Sequence, residues 1–126
     1  MNTRIVQWVL RIGVAGEFLG HGVLAVQGKA QWVRWIGEMV GTGPDASLQL
    51  LQIIGVSDIL VALLVLVYPF RLALLLAALW GFWTALLRPL VGESFWDFIE
   101  RFANWAAPLA LLLLRGWPKR AKEWLR

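Results

Sequence analysis

Four apolar segments run through this chain of 126 residues, separated by Gly, Pro and charge. They cover residues 3–27, 48–68, 70–88 and 95–115. A bilayer crossing takes about 20 mostly apolar residues, and each segment is close to that length. Residues 29–40 (KAQWVRWIGEMV), between the first two, are too short and polar to cross. Trp32 and Trp35 beside Lys29 and Arg34 predict a short helix in the headgroup region. Gly41-Thr-Gly-Pro-Asp45 punctuates a loop, and Ser47 and Ser94 are placed to cap the second and fourth spans. Turns are predicted at Tyr68-Pro69-Phe70-Arg71 and from Arg88-Pro89 onward. Residues 116–126 form a basic interfacial tail carrying Trp117 and Trp124. The predicted fold is all-α: an integral membrane four-helix bundle, one domain over residues 1–126, with a short interfacial helix between spans one and two.

The polar positions inside these spans are ordered. At roughly 100° per residue, Arg4, Gln7, Arg11, Glu17 and His21 share one side of the first span. Gly13, Gly16 and Gly20 lie opposite, and Gly16-x-x-x-Gly20 predicts close approach of another helix. In the second span Gln49, Gln52, Gly55 and Asp58 recur every three residues. The third is almost without polar groups, so Trp80, Trp83 and Thr84 are predicted to pack or to face lipid. In the fourth, Asp97, Glu100, Arg101 and Asn104 fall on one face, which Pro108 continues.

A rise of about 1.5 Å per residue turns sequence position into depth. Glu17, Asp58 and Asn104 then lie within about 2 Å of the midplane, and His21, Gln52, Glu100 and Arg101 about 6–9 Å to one side. Arg11 alone lies about 7 Å to the other. This predicts a polar cleft that is closed on one half and open on the other. Its candidate residues are Arg11, Glu17, His21, Gln52, Asp58, Asp97, Glu100, Arg101 and Asn104, with Trp105 as an aromatic wall. Arg101 is expected to be buried and paired, with Asp97 or with a carboxylate on a facing helix.

Composition agrees with a membrane class. Hydrophobic residues make up 60% and charged residues 16%, against about 25% charged in soluble domains. Arg11, Glu17 and His21 interrupt the first apolar segment, which reads as a retained span rather than a signal peptide. The net charge of +4 is concentrated near the C-terminus, which points to lipid headgroups and not to nucleic acid. Lys and Arg bias at the span ends places both termini in the cytoplasm, with the chain integral to a bacterial or archaeal inner membrane. There is no cysteine, which excludes disulfides, thiol redox chemistry and thiolate metal sites.

Glu17, Asp58 and Glu100 outnumber Arg11 and Arg101 among the deep charges. A proton on a carboxyl or on His21, or a cationic ligand, balances the excess. A purely structural ionic network is the alternative. Glu17, His21, Asp58 and Glu100 would suit iron or manganese as a metal set. The paired Glu-x-x-His repeat of di-iron bundles is missing, and a single His leaves a haem without a second axial ligand. A quinone-like ligand needs a donor that reaches its carbonyl and an aromatic wall such as Trp105.

Arg11-Ile-Gly with Phe18-Leu-Gly-His21-Gly, the amphipathic segment before the second span, and Glu100-Arg-Phe-Ala-Asn-Trp105 with Pro108-Leu-Ala-Leu111 carry a resemblance. In these features, and over nearly its whole length, the chain resembles the DoxX-like family of small four-helix membrane proteins. That resemblance implies a four-helix bundle. Some members look like subunits of membrane redox assemblies, including thiosulfate:quinone oxidoreductase. The lack of cysteine puts the thiol chemistry of related small bundles out of reach. The expected function is an accessory or quinone-binding subunit of a membrane redox complex, with other membrane subunits or a second copy as partners. The alternatives are a stand-alone enzyme or proton-handling protein built on Glu17, His21, Asp58, Glu100 and Arg101, and an oligomeric small-solute transporter.

Overall fold

The computed structural model describes residues 2–126. All regular structure among them is helical: α1 (Thr3–Val26), α2 (Ala30–Val40), α3 (Pro44–Val67), α4 (Arg71–Leu90), α5 (Phe95–Ile99) and α6 (Ala103–Arg115), then a 3₁₀ turn at Ala121–Leu125. Three of these, α1, α3 and α4, are long and apolar enough to cross a membrane. Their surfaces suit lipid. Buried positions hold small residues such as Ala15, Ala62, Ala77 and Ala85, while Ile12, Ile53, Leu60, Leu76 and Leu79 point outward.

The fourth apolar segment is not one helix. α5 ends at Ile99 and α6 starts at Ala103, so α6 with its 13 residues reaches about 20 Å of a roughly 30 Å hydrocarbon layer. The break has a cause in Arg101. Its side-chain Nη1 donates to the Asp97 carbonyl at 2.9 Å, the acceptor its own backbone N–H would have used in an α-helix. That N–H turns instead to Phe98, and Phe102 N–H to Ile99, both at 3.2 Å, which winds the chain into a tighter elbow. Phe98 and Phe102 then stack edge to face on each other, and Phe98 on Phe82 of α4, holding the elbow to its neighbour.

Two other expected boundaries move. α3 starts at Pro44, with Pro in the first turn where a missing N–H costs nothing, so Ser47 lies inside the helix. Ser47 is buried, its hydroxyl 2.7 Å from that of Thr42. α4 runs through Arg88 and Pro89 and stops in a paired C-terminal motif, Glu93 N–H to Arg88 O (2.9 Å) and Gly92 N–H to Pro89 O (3.2 Å). Gly92 supplies the left-handed φ of 94° that the motif requires. Ser94 does cap α5, accepting from Trp96 N–H at 3.2 Å.

The helices associate as two tight pairs, α1 with α3 and α4 with α6; α1 also touches α6, while α3 and α4 meet sparsely. A glycine sits at each tight seam. A methyl group on Gly22 would lie 2.7 Å from the Gly55 carbonyl oxygen, and one on Gly55 would lie 2.7 Å from the Gly22 oxygen. In the other pair Gly81 lies against the Asn104 carbonyl, which Pro108 leaves without its usual backbone donor. The predicted Gly16-x-x-x-Gly20 contact is not made within the chain. Gly13, Gly16 and Gly20 have open space where a side chain would go.

One half of the assembly is sealed by a core of Val14, Phe18, Val65, Leu74, Leu111 and Leu112. Its end is latched by Arg71, which donates to the carbonyls of Gly116 (2.6 Å), Arg126 (3.1 Å) and Arg115, while Tyr68 OH reaches Leu125 O at 2.8 Å. In the 3₁₀ turn, the Lys119 and Arg120 N–H groups hold the Glu123 carboxyl below the usual carboxylate range. That contact is present at neutral pH and is lost as pH falls through the lowered value.

Two outcomes follow for purified protein in detergent. Gly55→Leu should lower the unfolding free energy by about 1–3 kcal/mol or more through overpacking, while Gly16→Leu should leave it unchanged; equal losses would contradict the assigned seam. Arg71→Met should speed tryptic cleavage at Lys119 and Arg120, and an unchanged digestion rate would mean that Arg71 does not hold the tail.

Candidate functional site

At the end away from both termini the two helix pairs separate, and α2 roofs the gap. The cavity between α3 and α4 measures about 400 Å³, within the usual range for small-molecule sites. α4 builds one wall with Trp80, Thr84 and Arg88, spaced four apart on one helical face, and Trp83 beside them. α3 builds the other from Leu51, Ile54 and Asp58. The roof is Trp32, Trp35 and Ile36 of α2, and His21 of α1 closes the deep side. Met39, Val40, Leu50 and Trp83 line the cavity while being exposed on the outer surface, so it opens sideways between α3 and α4.

A second cavity of about 330 Å³ adjoins it and is polar, lined by Lys29, Gln31, Glu93, Asp97 and Arg101. His21, Trp32, Trp35 and Arg88 line both, so they form the partition. Local structure positions each of them. α1 ends in the same paired C-terminal motif as α4, Lys29 N–H to Leu24 O and Gly28 N–H to Ala25 O, with Gly28 at φ 75°. This turn swings α2 back over the helix ends. The Trp32 ring meets His21 edge to face at 5.7 Å, and Lys29 lies 4.7 Å from the same ring. Arg88 is only 7% exposed, its guanidinium 4.6 Å from the Trp35 ring and 5.8 Å from that of Trp32.

The structure divides the sequence-predicted cleft. His21 and Asp58 come together in the apolar cavity, and His21, Asp97 and Arg101 in the polar one. Glu17 is half-buried and close enough to Asp58 for their charges to interact. The others lie elsewhere. Arg11 donates through Nε to Val65 O at 3.2 Å and through Nη2 to Leu66 O, satisfying the end of α3, with Trp8 at 3.9 Å from its guanidinium. Gln52 is exposed and caps α1 by donating to Val26 O at 3.2 Å. Asn104 is used through its backbone at Gly81. Trp105 packs edge to face on Phe82 and Phe102, with a buried indole N–H that finds no partner among the described residues. It is not a wall of either cavity.

The expected buried pairing of Arg101 is also corrected. Its partner is the adjacent Glu100, at 2.8 Å, and the side chains are 30% and 63% exposed. Glu100 is carried outward by the elbow, away from Glu17, His21 and Asp58, so the four do not form a metal set; among the described residues no three His, Asp or Glu converge. Sequence reasoning missed Arg88 by assigning it to a turn, and missed Trp80 and Thr84 as cavity residues by assigning them to packing or to lipid. The four-residue spacing Trp80–Thr84–Arg88 was the available signal.

No family model, curated protein or solved structure matches the chain.

Because the Glu100–Arg101 pair lies at the protein surface beside the polar cavity that Arg101 lines, Glu100→Gln should change the unfolding free energy by less than about 1 kcal/mol. A loss of about 3–5 kcal/mol, the cost of stranding a buried charge, would contradict the exposed placement.

Proposed function

We propose that this protein binds a lipophilic, quinone-like molecule taken laterally from the bilayer, and serves as an accessory subunit of a membrane redox complex. The observation that carries the reading is the tryptophan-walled cavity open between α3 and α4. Its walls accept a flat apolar ring, while His21 and Arg88 offer donors to a ring oxygen at its polar end. The resemblance to DoxX-like proteins supports the redox setting. The membrane placement that suits this reading is a four-span one, with α5, the elbow and α6 together making the last crossing. Eight of the 12 Lys and Arg residues cluster at the end holding the termini: Arg4, Arg11, Arg71, Arg115, Lys119, Arg120, Lys122 and Arg126. The positive-inside bias puts that end in the cytoplasm and the cavity in the outer half of an inner membrane.

A proton-handling role is the second reading. It rests on the two neighbouring carboxyls Glu17 and Asp58, one of which, Asp58, is 6% exposed at the foot of the cavity.

Titrating a naphthoquinone into protein held in phosphatidylcholine nanodiscs should quench tryptophan fluorescence saturably. Trp83→Phe with Trp80→Phe should lower the saturable quenching, leaving the part that comes from Trp32 and Trp35. Unsaturable quenching equal to that of free indole in the same discs would overturn the binding reading. Reporter fusions should place residue 126 in the cytoplasm and the Pro44–Asp45 turn outside.

A further inference from the structure

The partition between the two cavities contains a buried charge that no carboxylate touches, although Asp58 lines the apolar cavity with it and Glu93 and Asp97 the polar one. Arg88 is 7% exposed, and its Nε–H has no acceptor among the described residues. The one ion pair within 4.0 Å in the described structure is Arg101–Glu100, so no carboxylate touches Arg88. Its neighbours are the faces of Trp35 and Trp32, which stabilise a cation but accept no in-plane hydrogen bond. Glu93 and Asp97 line the polar cavity beyond it; Glu93 is engaged by Gln31 Nε2 at 2.8 Å. Lys29 and Arg101 add positive charge on the same side. A buried guanidinium with an unmet N–H is costly, and the cost is relieved by an anionic oxygen arriving in the guanidinium plane. Arg88 lines both cavities, so an anion seated in either lies beside it.

Resting on the lipophile-binding reading above, we infer that the site selects ligands whose polar head is ionised, with Arg88 as the residue that recognises the anionic oxygen. The chemical class is a lipophile bearing an acidic oxygen, an ionised hydroxyquinone or a related acidic amphiphile, in preference to a neutral quinone of the same shape. The ring lies among Trp32, Trp80 and Trp83, the anionic oxygen meets Arg88, and the polar cavity keeps that end wet. The same chemistry is available from an acidic phospholipid headgroup, so the test separates the two sources.

The experiment compares an alkylated hydroxynaphthoquinone, ionised at neutral pH, with its methyl ether, which has nearly the same size and no charge. Both are titrated into protein in phosphatidylcholine nanodiscs, with tryptophan quenching as the readout and partition into empty discs subtracted. The ionised form should bind native protein about tenfold or more tightly than the ether, the value of one charge-assisted hydrogen bond. Arg88→Gln should weaken the ionised form far more than the ether, so that the tenfold difference between them collapses, and Arg88→Lys should restore part of it. Equal affinities in native protein overturn the inference, and need no variant to fold. A preference that survives Arg88→Gln overturns the assignment to Arg88. Absence of saturable quenching by either compound overturns the lipophile-binding reading itself, a result distinct from equal binding of both. Repeating the titration with phosphatidylglycerol in the disc identifies the source. Competition supports the anionic site with a membrane lipid as its occupant; no competition supports it with a free lipophilic acid.

Discussion

The arrangement depends on two backbone crossings that admit no side chain. At Gly22 and Gly55 the α1 and α3 backbones touch, each glycine lying where a methyl group would strike the other's carbonyl. At Gly81 the α4 backbone meets the Asn104 carbonyl of α6. In lipid, helix association gains little from burying apolar surface and much from close van der Waals contact, so these two seams set the pairing. With α1 held to α3 and α4 held to α6, the face between α3 and α4 is left open, and its width is the cavity. Both seams use carbonyls as well as glycines. Pro108 contributes by withholding the N–H that would otherwise occupy the Asn104 oxygen.

Polar side chains serve two different ends in this fold. Arg11, Gln52 and Arg71 are used on backbone carbonyls at helix ends, where unsatisfied groups are expensive near a bilayer. Arg101 does the same for Asp97 and in doing so bends its own helix. These are structural tasks. Arg88 and Asp58 differ, because each is buried against a cavity and neither is tied to a helix end. Burial without such a tie is the physical distinction between the groups that hold this fold and the two proposed to meet a ligand.

Much of the fold was legible from residue pattern. α1 and α2 lie where hydrophobicity and Trp placement put them, because length and polarity decide what a segment does near a membrane. The elbow at residues 100–102 was not legible, since nothing between Glu93 and Pro108 breaks a helix by type; the break comes from a side chain taking a backbone acceptor. The candidate site was half legible. Depth alone grouped His21 with Asp58, which both line the apolar cavity, but it also collected Arg11, Gln52 and Glu100, whose side chains are long enough to reach helix ends or the protein surface. Arg88 was lost for the converse reason. A following proline suggested a turn, whereas α4 runs through Pro89 and ends beyond it, where the Gly92 and Glu93 N–H groups satisfy the Pro89 and Arg88 carbonyls.

The occupant proposed for the gap between α3 and α4 is a lipophilic molecule. Native mass spectrometry of protein released from membrane nanodiscs tests it most directly, with Thr84→Trp as the comparison because the added ring fills the cavity from its α4 wall. A bound lipophile should be retained on the native chain and missing from Thr84→Trp, with both proteins folded by circular dichroism. A native chain released bare, or a filled variant that keeps the same bound mass, would contradict it.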